Sequence, residues 1–87
     1  MTVTSSPAAM LAADIRIAEN SYEEACRVTE AYHLQLKRRR ANGAEPKRIE
    51  EATRYLEAAE RAEYAAWSRL DHLRKSQLST RPARRGV

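Results

Sequence analysis

Apolar residues recur in this chain at alternating steps of three and four residues over two long stretches. This heptad spacing places them along one stripe of an α-helix and is typical of helices that pack in coiled coils. The first stripe consists of Ala8, Leu11, Ile15, Ala18, Tyr22, Ala25, Thr29, Tyr32 and Leu36. The second consists of Ile49, Ala52, Leu56, Ala59, Glu63, Ala66, Leu70, Leu73 and Gln77. We call these stripes the two seams.

Proline and glycine mark where the two helices begin and end. Two serines precede Pro7, which supplies an N-cap hydroxyl followed by a proline in the first helical turn. Gly43 interrupts the pattern, and Pro46 starts a second helix with the same proline signal. We therefore predict helices at about residues 7–41 and 46–79.

The predicted fold is all-α, an antiparallel two-helix coiled-coil hairpin, because the link between the helices is too short for any other arrangement. It forms one domain at residues 7–79. An N-terminal extension at residues 1–6 precedes it, and a flexible basic tail at residues 80–87 follows it. The composition agrees with this class, since it is rich in helix formers and contains only 2 glycines and no phenylalanine.

Matching the seams outward from the loop gives a predicted register. It pairs Leu36 with Ile49 and Thr29 with Leu56, so that the residue numbers of each pair sum to 84 or 85. Every seam residue then has a partner in the opposite helix. We expect this register to bring two Ala-lined layers close together near the middle of the hairpin.

One layer of this register is polar. It pairs Tyr22 with Glu63, whereas most other layers are apolar. We expect the phenol to donate a hydrogen bond to the carboxylate at a partly solvent-exposed position. The alternative is that this layer acts as a polar key that selects one register, as a buried asparagine does in some coiled coils.

Both helices carry further apolar residues beside their seams, and one partner helix cannot cover faces this wide. We predict that these residues form a partner-binding apolar shoulder, made of Met10, Ile17, Val28, Tyr55, Tyr64 and Trp67. A chain of 87 residues also has room for only a thin core. We therefore expect the hairpin to complete a four-helix bundle, by dimerisation or by docking on partner helices. The alternative is a monomer with scattered surface apolar groups.

Charge is distributed unevenly along the chain. Residues 37–48 hold six basic residues against one acidic residue, and residues 74–87 hold five basic residues and no acid. Acids outnumber bases in the two helix bodies between these regions. The basic tip consists of Lys37, Arg38, Arg39, Arg40, Lys47 and Arg48. The basic tail contains Arg81, Arg84 and Arg85. The tip cations either complement the end of the first helix or form a surface that attracts anions.

Residues able to carry catalysis or bind a metal are few. Cys26 and His33 are one heptad apart and so lie about 10 Å apart along a helix, too far to grip one metal ion. The sequence contains no glycine-rich phosphate loop, nucleophile elbow or zinc spacing. We expect no enzyme activity, cofactor, metal or small-molecule substrate. A single cysteine and no membrane-spanning stretch favour a cytoplasmic protein.

Two functional hypotheses follow from these patterns. The first is a non-enzymatic protein-protein interaction module, such as an adaptor, an inhibitor or a small subunit of a larger assembly, with a protein partner or a second copy of itself. The second is a nucleic-acid-binding regulator that uses the basic tip and the basic tail. The absence of aromatic residues among the tip cations weighs against base stacking in the second hypothesis.

Overall fold

The protein is a two-helix hairpin in a computed structural model that describes residues 7–80. Helix α1 spans Pro7–Ala41 and helix α2 spans Pro46–Thr80. The predicted helix bounds agree with these to within one residue, and the prediction of an all-α helical hairpin is confirmed. The predicted extension at residues 1–6 lies outside the described residues, as do all but the first residue of the predicted tail. Neither helix, over the described residues, is long and apolar enough to cross a membrane.

The loop begins with a Schellman motif that ends α1. The backbone N–H of Ala44 donates to the carbonyl of Arg39 at 2.9 Å, and that of Gly43 donates to the carbonyl of Arg40 at 3.2 Å. Gly43 has a φ of 68°, a left-handed conformation that glycine adopts without steric cost. The carbonyl of Glu45 then accepts the first hydrogen bonds of α2. The turn is therefore formed by backbone hydrogen bonds between residues that are close together in the sequence.

The core of the hairpin is a single stripe between the two helices. Every residue that is buried within residues 7–80 belongs to a predicted seam: Ile15, Ala18, Thr29, Leu36, Ala52, Leu56, Ala59 and Leu70. Six of them form two apolar clusters, one near the loop around Leu36 and Leu56 and the other near the open end around Ile15 and Leu70. The heptad pattern therefore identified the buried face correctly.

The axial register of the helices differs from the predicted one. The Oγ1 of Thr29 lies 3.3 Å from the carbonyl oxygen of Ala59, and the rings of Tyr32 and Tyr55 stack with centroids 5.9 Å apart. The residue numbers of these pairs sum to 88 and 87, whereas the predicted pairs sum to 84 or 85. The contacts are thus displaced by about three residues from the predicted pairs, so that Thr29 lies level with Ala59 rather than with Leu56.

This displacement also changes the environment of Tyr22. No hydrogen bond joins Tyr22 to Glu63 among the described residues, whereas the side chain of Cys26, one turn further along α1, is the main influence on the Tyr22 hydroxyl. In the observed register Glu63 is level with Ala25 instead. The contact with Cys26 is the main cause that raises the pKa of Tyr22 above its usual 10.0. Partial desolvation and the negative charge of Glu63 raise it further.

Candidate interaction surfaces

One broad side of the hairpin is crossed by ion pairs, and we call it the ion-paired face. Within residues 7–80, two side-chain contacts of this kind join the helices: an Arg–Glu ion pair, and a His–Glu contact that is an ion pair when the imidazole is protonated. Arg74 Nη2 lies 3.0 Å from Glu19 Oε2, and His33 Nε2 lies 3.7 Å from Glu60 Oε2. Glu19 and His33 are two heptads apart, as are Glu60 and Arg74, so both pairs lie on the same face. All four side chains are well exposed, and such surface pairs contribute little to stability.

The opposite side of the hairpin is the apolar face, defined by Met10, Ile17, Val28 and Tyr55. Ile17 lies two residues before Glu19, a rotation of about 200° around α1, which puts it on the other side of the helix pair. These four side chains are 39–60% exposed. No ion pair of the described helices crosses this face. It therefore lacks both a covering helix and the interhelical charged pairs that cross the ion-paired face.

The structure divides the six residues of the predicted apolar shoulder between the two faces. Tyr64 and Trp67 pack against each other, with ring centroids 6.0 Å apart. Trp67 lies one heptad from both Glu60 and Arg74, which places this aromatic pair at the ion-paired face. The remaining four residues of the predicted shoulder form the apolar face.

Two further leucines are exposed although they belong to none of the predicted sites. Leu34 is 50% exposed and Leu78 is 63% exposed. Leu34 also lines a shallow depression of about 380 Å³ beside the basic tip, together with Glu30, His33, Leu36, Lys37 and Arg40. The signal that could have identified both residues is a leucine outside the seam spacing.

The basic tip carries cations without acidic partners. Five of its six basic side chains are exposed, and the half-buried Arg39 donates from Nη1 to the carbonyl of Arg48 at 3.0 Å. No ion pair among residues 7–80 includes a tip residue. In contrast, four cations elsewhere are paired with carboxylates: Arg27, Arg54, Arg74 and Lys75. The positive charge of the tip is therefore not neutralised within the described hairpin.

The helix ends add to this positive field. The first turn of α2 contains no acidic residue, although carboxylates are favoured there, and Lys47 and Arg48 occupy it instead. The last turn of α1 carries Arg38, Arg39 and Arg40, where cations complement the helix dipole. The dipole of α1 thus accounts for its own cations, but it does not account for those that begin α2.

The other sequence predictions concern the tail and metal binding. Arg81, Arg84 and Arg85 of the basic tail lie outside the described residues. Over residues 7–80, no group of three or more His, Cys, Asp or Glu side chains is placed to hold a metal ion. The chain matches no protein-family model, no curated protein and no solved structure.

Proposed function

We propose that this chain is a non-enzymatic helical-hairpin interaction module that pairs its apolar face with helices of a protein partner and so completes a four-helix bundle. One observation carries this proposal. Met10, Ile17, Val28 and Tyr55 lie exposed on one face of a layer only two helices thick. Large apolar side chains exposed together on one face are a mark of interaction surfaces in soluble proteins.

The composition of this face suits packing against further helices. Its α1 side presents Met10, Ile17 and Val28, whereas beyond Tyr55 its α2 side presents alanines at positions 58, 62 and 65. Small residues allow a partner helix to approach closely, and larger ones fill the space between helices. The ion-paired face also exposes Tyr64 and Trp67, but interhelical charged pairs cross it, and charged residues are depleted from the centres of protein interfaces.

A second copy of the chain is the partner that this proposal favours. A two-fold axis would bring the same face of each copy together, and closed two-fold dimers are the commonest protein assemblies. The resulting bundle would bury the apolar face of both hairpins at once. Each hairpin would then have a core two layers deep instead of the single stripe between α1 and α2.

Sedimentation equilibrium tests this proposal on the intact protein. We expect the mass of two chains for the wild type and of one chain for a double variant, Ile17→Gln with Val28→Gln. Gln is at least as good a helix former as Ile or Val, so the change does not weaken the helix itself. The matched control is Leu34→Gln, an exposed leucine that is not among the residues defining the apolar face, and it should remain dimeric.

The unfolding midpoint gives a second readout, because the stability of a dimer rises with protein concentration. A folded wild-type protein that has the mass of one chain, and an unfolding midpoint independent of concentration, would contradict self-association. In that case the same double variant should abolish crosslinking to a different helical protein in the host. If the double variant changes neither the mass of the protein nor its crosslinking to another protein, this face has no role in interaction.

A further inference from the structure

We propose that the basic tip is a site for the phosphate backbone of nucleic acid, contacted end-on by the loop end of the hairpin without regard to base sequence. This site is separate from the apolar face. It is formed by residues 37–48, where the last turn of α1 meets the first turn of α2.

The cations of the basic tip have no acidic partner among the described residues. Four of the seven Arg and Lys side chains elsewhere in the two helices pair with carboxylates, whereas none of the six at the tip does so among the described residues. Glu45 is the sole acid within the tip sequence, and it forms no ion pair among the described residues. Five exposed cations therefore share one small surface, which raises the local concentration of anions around it.

The first turn of α2 carries two cations and no acidic residue. Lys47 and Arg48 lie beside the positive end of the helix dipole, where they destabilise the helix slightly. A bound phosphate at this helix end would compensate this repulsion. Stability of the isolated hairpin does not explain these two residues, whereas anion binding does.

The loop end of the hairpin is accessible to a ligand. Gly43 stands at the end of the hairpin, and a methyl group added to its α-carbon would meet nothing within 4 Å. Its neighbours Asn42 and Ala44 have short side chains, which leave this end of the hairpin open to an approaching ligand. The tip is an open convex surface, which fits a polymer backbone that crosses it better than a small enclosed anion.

The composition of the tip distinguishes nucleic acid from other anionic ligands. Residues 37–48 contain no aromatic residue and, apart from alanine, no apolar one. Adsorption to a membrane surface is strengthened by large apolar side chains, and protein interfaces depend on aromatic or aliphatic anchors. Phosphate contacts need neither, because they depend on Arg and Lys side chains alone. The lack of aromatic residues also excludes base stacking at the tip.

The helix bodies determine the direction of approach. Acids outnumber bases in residues 14–36 and in residues 49–73. A polyanion lying along the hairpin would be repelled by both bodies, whereas one crossing its end would meet only the tip. We therefore expect a small contact with few phosphates and with affinity that depends strongly on salt.

Fluorescence anisotropy with a short labelled DNA duplex tests the site on the full chain. The tip variants are Arg38→Gln with Arg40→Gln, and Lys47→Gln with Arg48→Gln. The control is Arg54→Gln with Arg61→Gln, which removes the same charge from the body of α2. We expect each tip variant to flatten the slope of log K against log salt by about 1.8, or about 0.9 per lost contact, and the control to leave it unchanged.

Three outcomes would overturn the proposal. Equal losses in tip and control variants would mean that net charge alone drives binding, and unchanged slopes in the tip variants would move the site elsewhere in the chain. Binding to vesicles rich in phosphatidylserine but not to DNA or RNA would make the ligand a membrane. Circular dichroism confirms that each variant is folded. The Ile17→Gln, Val28→Gln variant retains the whole tip, so binding by each single hairpin can be measured independently of the proposed dimer.

Discussion

The hydroxyl of Thr29 on α1 lies 3.3 Å from the carbonyl oxygen of Ala59 on α2 and 3.0 Å from the carbonyl oxygen of Ala25 in its own helix. Its single proton is therefore shared between an acceptor within the helix and one across the hairpin. Thr29 is 7% exposed and is the one buried polar residue in the described part of the chain. This contact lies near the middle of the hairpin, where Ala25 and Ala59 allow the helices to approach closely.

The register implied by this contact can be tested by disulfide formation. Cysteines at positions 29 and 59, in a Cys26→Ser background, should oxidise readily to an intramolecular crosslink because these positions face each other. Cysteines at 25 and 59, the pair expected from the seams alone, are offset by about one helical turn and should oxidise poorly. Non-reducing mass analysis distinguishes the two. Faster oxidation of the 25 and 59 pair would restore the predicted register.

Removing the shared hydroxyl should weaken the hairpin measurably. Thr29→Val keeps the shape of the side chain but loses the hydrogen bond to α2, and we expect a loss of about 1 kcal/mol in the free energy of unfolding. Thr53→Val is the matched control, because the hydroxyl of Thr53 bonds only within its own helix, to the carbonyl of Ile49 at 2.8 Å. Urea unfolding compares them. Equal losses in both variants would show that the interhelical bond contributes nothing.

The core cluster at the open end of the hairpin should be sensitive to truncation. Leu70 is 3% exposed and packs with Ile15 and Ala18, so Leu70→Ala should lower the free energy of unfolding by about 2–5 kcal/mol. Leu34→Ala removes the same atoms from a side chain that is 50% exposed, and its effect should be much smaller. Thermal unfolding followed by circular dichroism measures both. Similar midpoints for the two variants would contradict the assigned core.

Stability should fall at high pH through the phenol of Tyr22. Its pKa is raised in the folded state, so the folded protein holds this proton more tightly than the unfolded chain does. The resulting stabilisation is fully present below the usual pKa of 10.0 and disappears as the pH rises through the folded-state pKa. Denaturant titrations of wild type and Tyr22→Phe across this range test it. The same pH dependence in both proteins would exclude Tyr22 as the cause.

The secondary structure and the buried stripe could be predicted because their signals are local. Pro7 and Pro46 mark the first turns of the helices, and Gly43 can adopt the left-handed conformation that ends α1. Heptad spacing then selects one stripe of each helix for burial, whatever the axial position of the other helix. Each of these features depends on residues within a few turns of one another.

The sequence by itself therefore determined the two helices, the loop and the residues of the seams. The tertiary structure alone decided the register, the division of the apolar shoulder into two faces, and the larger influence of Cys26 than of Glu63 on the pKa of Tyr22. It also decided which cations find carboxylates and which remain unpaired at the tip. The physical reason is that these features depend on the axial position of α1 relative to α2. That position is determined by contacts such as that of Thr29 with Ala59, which are thirty residues apart in the chain.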